Sequence, residues 1–542
     1  MSVRNGTVLF LALSTLVFLV ACGNSPPKVV PPPSGGFSNS NLNGTYVFSS
    51  TGVDAGTGLS AGGFFLTIVG AFVANGNGGI TEGTLDLVSA DPTLLASTNQ
   101  AINNSSYHVT ADGRGQATLN TALGPIGLDF VLLSSSHGLI TEFDNSGTGS
   151  GTIDLQPSAV SQSALSGLSY SFGVAGTGPG PSYAPYATAG SITLNSTGGV
   201  TVGIEDSNNA GTPTLAQAIS TSSFVTVGAG TAPGTAQLTT TTTYSFDVYA
   251  IDSTHLKFIE TDGVLFLSGD AYAQGTSIPS GTLAFTMAGF DTSGSPLGAG
   301  GFLPTSSGGT ITAGVEDFND GGNVDAAPVT VGGSFGPLTG GRSVLSLTGF
   351  VNGAANDVPG NYTFAAYPFT SNGVTGVQLL EIDSGITNAI TAGTAFLQTS
   401  TSLAASQGYG FSLSAINAGN GTGAFEEDDI AEFTTTGSGF TGIVDINDEG
   451  GLSFDQAFSS STYNPPDSSG RGTAITTEHG NAFVSYNFYV VNGSTVLLLE
   501  TDSNQIGTGI FELQNGSGSP GAQPGISMFR PAVPAHAAMR HK

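Results

Sequence analysis

An internal repeat limits this chain more than any other feature. Four apolar runs end in the same Glu-x-Asp pattern, at Glu142/Asp144, Glu260/Asp262, Glu381/Asp383 and Glu500/Asp502, so that successive glutamates stand 118, 121 and 119 residues apart. Each pattern is followed by a glycine-rich turn and a last run closing on glutamine, at Gln156, Gln274, Gln398 and Gln514. The copies also open alike, on Tyr46/Phe48, Tyr170/Phe172, Leu283/Phe285 and Tyr409/Phe411, and each carries a central aspartate: Asp86, Asp206, Asp317 and Asp445. A repeat of this length can bury a core of its own, unlike the short repeats of solenoids. The expected domains are residues 42–156, 165–274, 280–398 and 406–514, joined by short polar links like beads on a string and each able to fold alone.

The 82 glycines, with many Thr, Ser, Val and Phe, favour short strands and tight turns over helix. A hydrophobic share of 39% with only 9% charged residues is too apolar for a disordered chain. No segment has helical periodicity, so the fold class is all-β. Turn signals divide the first copy into eight strand-like runs: 45–52, 63–74, 79–88, 105–110, 116–122, 127–134, 138–144 and 148–156. Sequential hairpins of this kind suit tandem antiparallel up-and-down barrels of the lipocalin or avidin type, with β-sandwiches as the alternative. The chain has no tryptophan, so the aromatic wall of a biotin-binding barrel is missing.

Nine Lys and Arg face 38 Asp and Glu, a net charge of -29. Such a chain repels phosphate, which excludes nucleic acid as a partner. Each repeat holds a single cation: Arg114, Lys257, Arg342 and Arg471. Their scarcity and even distribution predict a specific structural role, an ion pair with the acids of the same repeat's Glu-x-Asp strand. Those partners are Glu142 and Asp144, Glu260 and Asp262, Glu381 and Asp383, and Glu500 and Asp502.

No catalytic set emerges. The pentapeptides 58–62 and 332–336 match G-x-S-x-G, but neither follows a buried strand and opens a helix, as a nucleophile elbow does. His137 and His255 share one position, which is Gly376 and Thr495 in the other copies, and read as solvated turn residues rather than ligands. The paired acids of Glu-x-Asp sit on one strand, whereas a glycosidase needs its two carboxyls on opposite sides of the substrate. Calcium is the stronger metal candidate: Asp317, Asn319 and Asp325, and Asp445, Asn447 and Glu449, space oxygens around glycine turns. Neither set has the distal glutamate of an EF-hand, and Asx turns explain the same residues. No cofactor is expected.

The only cysteine follows a short apolar stretch as Leu19-Val20-Ala21-Cys22, behind Arg4. This resembles the lipobox of bacterial lipoproteins, in which cleavage before the cysteine frees it for acylation. The resemblance implies a signal peptide over 1–21 and a lipid on Cys22; by composition, residues 22–41 are expected to form a Pro/Gly linker and 515–542 a flexible tail. The mature chain would keep eight Lys and Arg against 38 acids, a net -30. Gly23 and Asn24 in place of a retention aspartate point, by the same resemblance, to the outer membrane of a Gram-negative bacterium. Gly44-Thr45-Tyr46-Val47-Phe48, Asp112-Gly113-Arg114-Gly115 and Glu142-Phe143-Asp144 resemble the repeats of a group of bacterial tandem-repeat lipoproteins, matched fully only in the first copy. That resemblance brings no activity with it. The expected function is a membrane-anchored, non-enzymatic structural or adhesive stalk. The alternative is a barrel that binds a small ligand or glycan, and the expected partners are the membrane and a cell-envelope component.

Overall fold

The computed structural model describes residues 36–515, apart from 57–61, 95–96, 179, 181–182, 326, 353–356, 385–388, 405, 419–425, 437 and 479–481. Cys22, the expected signal peptide, most of the expected linker, the expected tail and most of the first G-x-S-x-G pentapeptide lie outside these residues. Within them no helix is long and apolar enough to cross a membrane.

Each repeat folds into one antiparallel sheet in which most strands pair with their chain neighbours and the first strand returns to the last. In the first repeat Asn43–Asp54 pairs with Gly147–Leu155, Tyr46 facing Leu155, while Phe65–Asn75 pairs with Gly79–Ser89, so the sheet closes on itself. The third closes in the same way, Leu283 facing Leu397. The fourth is a closed eight-stranded barrel. The second is completed only by an isolated bridge between Gly199 and Phe224. These are barrels, not sandwiches. The alternation read at Tyr46/Phe48 turns both rings inward, and the interiors are filled: Tyr46, Phe48, Phe72 and Phe130 in the first barrel, Phe411, Phe433, Phe458 and Phe488 in the fourth.

One strand of the first repeat, Ser97–Ile102, escapes sequence reading because Ser-Thr-Asn-Gln carries no apolar alternation. It forms because Asn99 adopts a left-handed backbone (φ 54°) at a break in the ladder between Leu85 and Leu87.

The barrels are not beads on a string. Strands of the first and second, second and third, third and fourth, and fourth and first barrels lie in contact, which closes a ring. Separate apolar clusters fill the joints. Val47, Val69 and Val88 meet Tyr249, Ile251 and Ile259 between barrels one and two. Ala187 and Ala189 meet Tyr367 and Leu380 between two and three. Phe302 and Phe396 meet Tyr489, Leu497 and Leu499 between three and four. A repeat cut from the ring would expose such a face to water, so the expected autonomy of each repeat meets an apolar surface that the sequence did not reveal.

Much of the glycine lies in these contacts rather than in turns. A Cβ on Gly300 would stand 2.5 Å from the Tyr489 ring of the next barrel, and one on Gly410 would stand 2.7 Å from Val131 and Leu133 of the first. Tyr489 is fully buried and its hydroxyl is tied to Asp317, so it cannot move aside. Gly300→Ala should therefore lower stability by about 1–3 kcal/mol, the usual cost of overpacking, in a urea titration of the full chain. An unchanged midpoint would mean that barrels three and four are not in close contact.

Candidate functional site: the joints and centre of the ring

The repeated sequence marks converge at the joints between barrels. The closing glutamine serves both barrels it touches. Its backbone N–H completes its own barrel, Gln514 donating to the carbonyl of Gly408 and Gln156 to that of Thr45. Its side chain crosses to the next: Gln156 Nε2 donates to Ala250 O (2.6 Å), Gln398 Nε2 to Val490 O (2.8 Å) and Ser469 O (2.9 Å), and Gln514 Nε2 to Asp112 O (2.8 Å) and Leu132 O (3.0 Å).

The central aspartate of each barrel receives a cation or a tyrosine from the next. Arg342 bonds Asp206, with Nη2 at 2.9 Å, and Arg471 grips Asp317 through Nε and Nη2, both at 2.7 Å. Arg114 reaches Asp445 at 3.1 Å as well as Asp455 at 2.8 Å and its own Asp112 at 3.3 Å. Tyr249, Tyr367 and Tyr489 donate their hydroxyls to Asp86, Asp206 and Asp317. In three barrels a residue with left-handed backbone, Asn99, Ala216 or Asp455, also turns its N–H onto that aspartate. A bidentate guanidinium on a buried carboxylate is the strongest of these ties, since it satisfies charge and geometry together.

The predicted pairing within a repeat is therefore wrong for all four cations. Arg114 and Arg471 open the strands Arg114–Thr121 and Arg471–Glu478, Arg342 directly precedes Ser343–Phe350, and all three reach acids of a neighbouring barrel. Lys257, fully buried, pairs with Asp270 at 3.1 Å rather than with Glu260 or Asp262. The Glu-x-Asp acids have other roles. The aspartates accept backbone N–H groups at the barrel end: Asp144 from Gly127 (2.8 Å), Asp262 from Val264 (2.8 Å), Asp383 from Thr363 (2.6 Å) and Asp502 from Asn504 (2.8 Å). The glutamates are buried, and burial raises Glu142 well above its ordinary value, Glu260 to about 9 and Glu381 to about 7. Glu500 is equally buried.

The candidate calcium ligands are spent on the same joints. Asn319 donates to the carbonyls of Glu500 (3.1 Å), Asp502 (2.9 Å) and Gln505 (2.8 Å), and its Oδ1 accepts Gly322 N–H. Asn447 likewise donates to Glu142 O (2.7 Å) and Gly147 O (2.8 Å) while its Oδ1 holds Gly450 N–H. Asp317 and Asp445 hold arginines, and Asp325 lies 3.4 Å from Phe318 N. Glu449 follows Asp448 in a hairpin turn with φ 46°. Among the described residues no group of three or more His, Cys, Asp or Glu is placed to hold a metal ion.

The histidines are not solvated. Both are 1% exposed at the inner side of the ring. His137 places Nδ1 2.8 Å from Asp154 and Nε2 2.9 Å from Glu512 of the fourth barrel. Burial alone would pull its imidazolium down, but Asp154 and then Glu512 outweigh burial and lift it to about 10, while Asp154 is held below its usual range, chiefly by His137. His255 Nε2 lies 2.6 Å from Asp270, the partner of Lys257. A cavity of about 90 Å³ adjoins this cluster at the centre of the ring, lined by the polar Ser150, Thr152, Ser268, Asp270, Gln378 and Thr508 and by the apolar Val69, Leu139, Ala175 and Ile510 among others. Gln378 is 2% exposed, and its Oε1 has no protein partner. Polar groups and this volume suit ordered water.

Sequence reading missed Asp154, Asp270, Glu512 and the three tyrosines. Tyr249 and Tyr489 both stand eleven residues before their glutamate, which is a usable signal. Tyr367 stands fourteen before its own because the intervening hairpin is longer. The second pentapeptide, 332–336, runs into Val329–Phe335, a strand rather than a nucleophile elbow.

No protein-family model matches the chain, and comparison with curated proteins returned no match. Among solved structures the chain is similar to transferrin-binding protein B of Haemophilus parasuis Hp5 as a double mutant (9% identity over 90% of this chain and 78% of that one, TM-score 0.20). It is similar to intact Ap-TbpB with its N and C lobes (8% identity over 90% and 99%, TM-score 0.20). It is also similar to the isotype 1 protein of serogroup B Neisseria meningitidis (9% identity over 70% and 84%, TM-score 0.19).

Proposed function

We propose that this chain is a lipid-anchored envelope protein whose four-barrel ring is a rigid, non-enzymatic body that presents its outer shell to a partner. The observation that supports this most is where the chemistry-bearing residues are used. Arginine, asparagine, glutamine and histidine are used at the joints and centre, and the barrel interiors are filled by aromatic and aliphatic side chains together with buried glutamates such as Glu205, which Tyr244 and Thr188 already bond, where a ligand-binding barrel would need an open cavity. The ring is a closed body rather than an extended stalk, which favours presentation of a surface over simple spacing.

The shell also has a sign. All four Lys and Arg among the described residues are engaged in ion pairs, so acids and hydroxyls dominate what remains outside. Such a surface steers toward a partner with cationic patches and away from anionic ones. Cys22 would fix the ring to the membrane, since the mature chain begins there.

Anchoring is tested by detergent partition of extracts from cells making the wild-type chain or Cys22→Ser. The wild type should enter the detergent phase and the variant should stay in the aqueous phase. Equal recovery of both would defeat the anchored reading. For the shell, retention of the purified chain on immobilised basic protein, lost at high salt and absent on an acidic control, is the expected result.

A further inference from the structure

The four joints of the ring are built to one pattern, and one of them lacks half of it. Ladder registers place Arg114 opposite Val131, Arg342 beside Ser343, which faces Ala366, and Arg471 opposite Tyr489. In the second barrel Gly234 faces Val248, so the residue at the arginine position, opposite Tyr249, is Pro233. The asparagine that crosses to the next barrel is Asn208, Asn319 or Asn447, two residues after the central aspartate. In the first barrel that place is Val88. The joint between barrels one and two therefore keeps the glutamine tie from Gln156 and the tyrosine tie from Tyr249, but has neither the guanidinium nor the asparagine.

It has a second acid instead. Asn99 links Asp86 of barrel one to Asp247 of barrel two, its N–H 2.5 Å from Asp86 and its Nδ2 3.5 Å from Asp247, and Tyr249, two residues after Asp247 on the same strand, donates its hydroxyl to Asp86 at 2.7 Å. Both acids are buried. The other titratable groups on the facing strands do not neutralise the pair: Tyr249 donates to Asp86, His255 and Lys257 are engaged by Asp270, and Glu260 is itself a buried acid. Two facing carboxyls without a cation can share one proton, but cannot both ionise cheaply.

We propose that the ring has a single seam, between barrels one and two, held shut by a proton shared by Asp86 and Asp247, and that it parts there when both carboxyls are ionised. The chain still joins the two barrels through residues 157–168, so parting opens the ring without separating its parts. Burial raises Asp86 to about 7, followed in weight by its bonds from Asn99 and Tyr249, which lower it, and by Asp247, which raises it. The seam is then shut in acid and open above neutrality.

The test is a distance measurement by paired spin labels in the full chain carrying Cys22→Ser. One pair, at Thr98 and Thr235, spans the seam. A control pair, at Leu215 and Ser346, spans barrels two and three. Both pairs should give a narrow short-distance population in acid. Above a pH of about 7 the seam pair should lose that population while the control keeps it. Asp247→Asn removes one charge and Pro233→Arg supplies the missing cation, and either should preserve the short distance in base. The proposal is overturned if the seam pair does not change with pH, if both pairs broaden together, which means general unfolding, or if neither variant holds the seam shut.

Discussion

Raising the pH from about 5 to about 9 should lower the stability of the ring by several kcal/mol, read as a fall in the urea midpoint of the full chain. The chain buries many carboxyls with few cations to meet them. Burial is the first cause of each rise: Asp54 and Asp86 are pushed up to about 7, Asp129 and Glu432 to about 8, and Glu260 to about 9. A carboxyl whose folded value lies above its unfolded one contributes stability that is whole below about pH 4 and is lost as the pH climbs through the folded value. A group held at about 7 instead of 3.8 accounts for about 4 kcal/mol by that point. Neighbouring acids titrate together, so these contributions do not add in full. His137, raised from 6.5 to about 10, acts in the same direction, its contribution being whole below about 6.5 and lost as the pH climbs to the folded value. Asp154, held low, acts in the opposite one: its contribution is present above its ordinary 3.8 and is lost only in strong acid. A midpoint that holds steady or rises between about pH 5 and about pH 9 would show that these carboxyls are ionised in the folded ring, and with it the burial argument would fail.

Sequence reading was most reliable where one strand faces its own barrel. Tyr46 and Phe48 alternate because the pleat sends every second side chain inward, and the closing of each repeat on glutamine coincides with the last rung of its barrel. The same alternation hides the outer face. Gly298, Gly300 and Gly410 carry no sequence mark of a role, yet they are the floor on which Leu499, Tyr489 and Val131 of neighbouring barrels rest. Nothing in a single chain distinguishes an outward Ser or Gly facing water from one facing another barrel. His137 and Glu512 are 375 residues apart, and no local spacing announces their contact. The repeat did contain the information in another form: Asp, Asn, Arg and Gln recur at matching places because each joint uses them in the same way. The cations alone read as partners of the acids in their own copy, because a single sequence does not give the arrangement of copies.

That difference between pairing within a copy and pairing across copies can be measured at Arg471. Its side chain is 22% exposed and that of Asp317 only 1%, so Arg471→Ala strands a buried carboxylate against Tyr489 and should cost the full chain about 3–5 kcal/mol in urea titration. Asp317→Asn should recover part of that loss in the double variant, because it removes the charge left without a partner. The cycle should therefore show strong coupling. Asp502, which caps the fourth barrel's end through the N–H of Asn504, shares no partner with Arg471. The cycle of Arg471→Ala with Asp502→Ala should add to within about 0.5 kcal/mol. Coupling to Asp502 instead of Asp317 would restore the pairing within the fourth repeat and remove the arginine from the joint. A single-variant loss below about 0.5 kcal/mol would place the guanidinium among ordinary surface changes and leave barrels three and four held by their apolar faces alone.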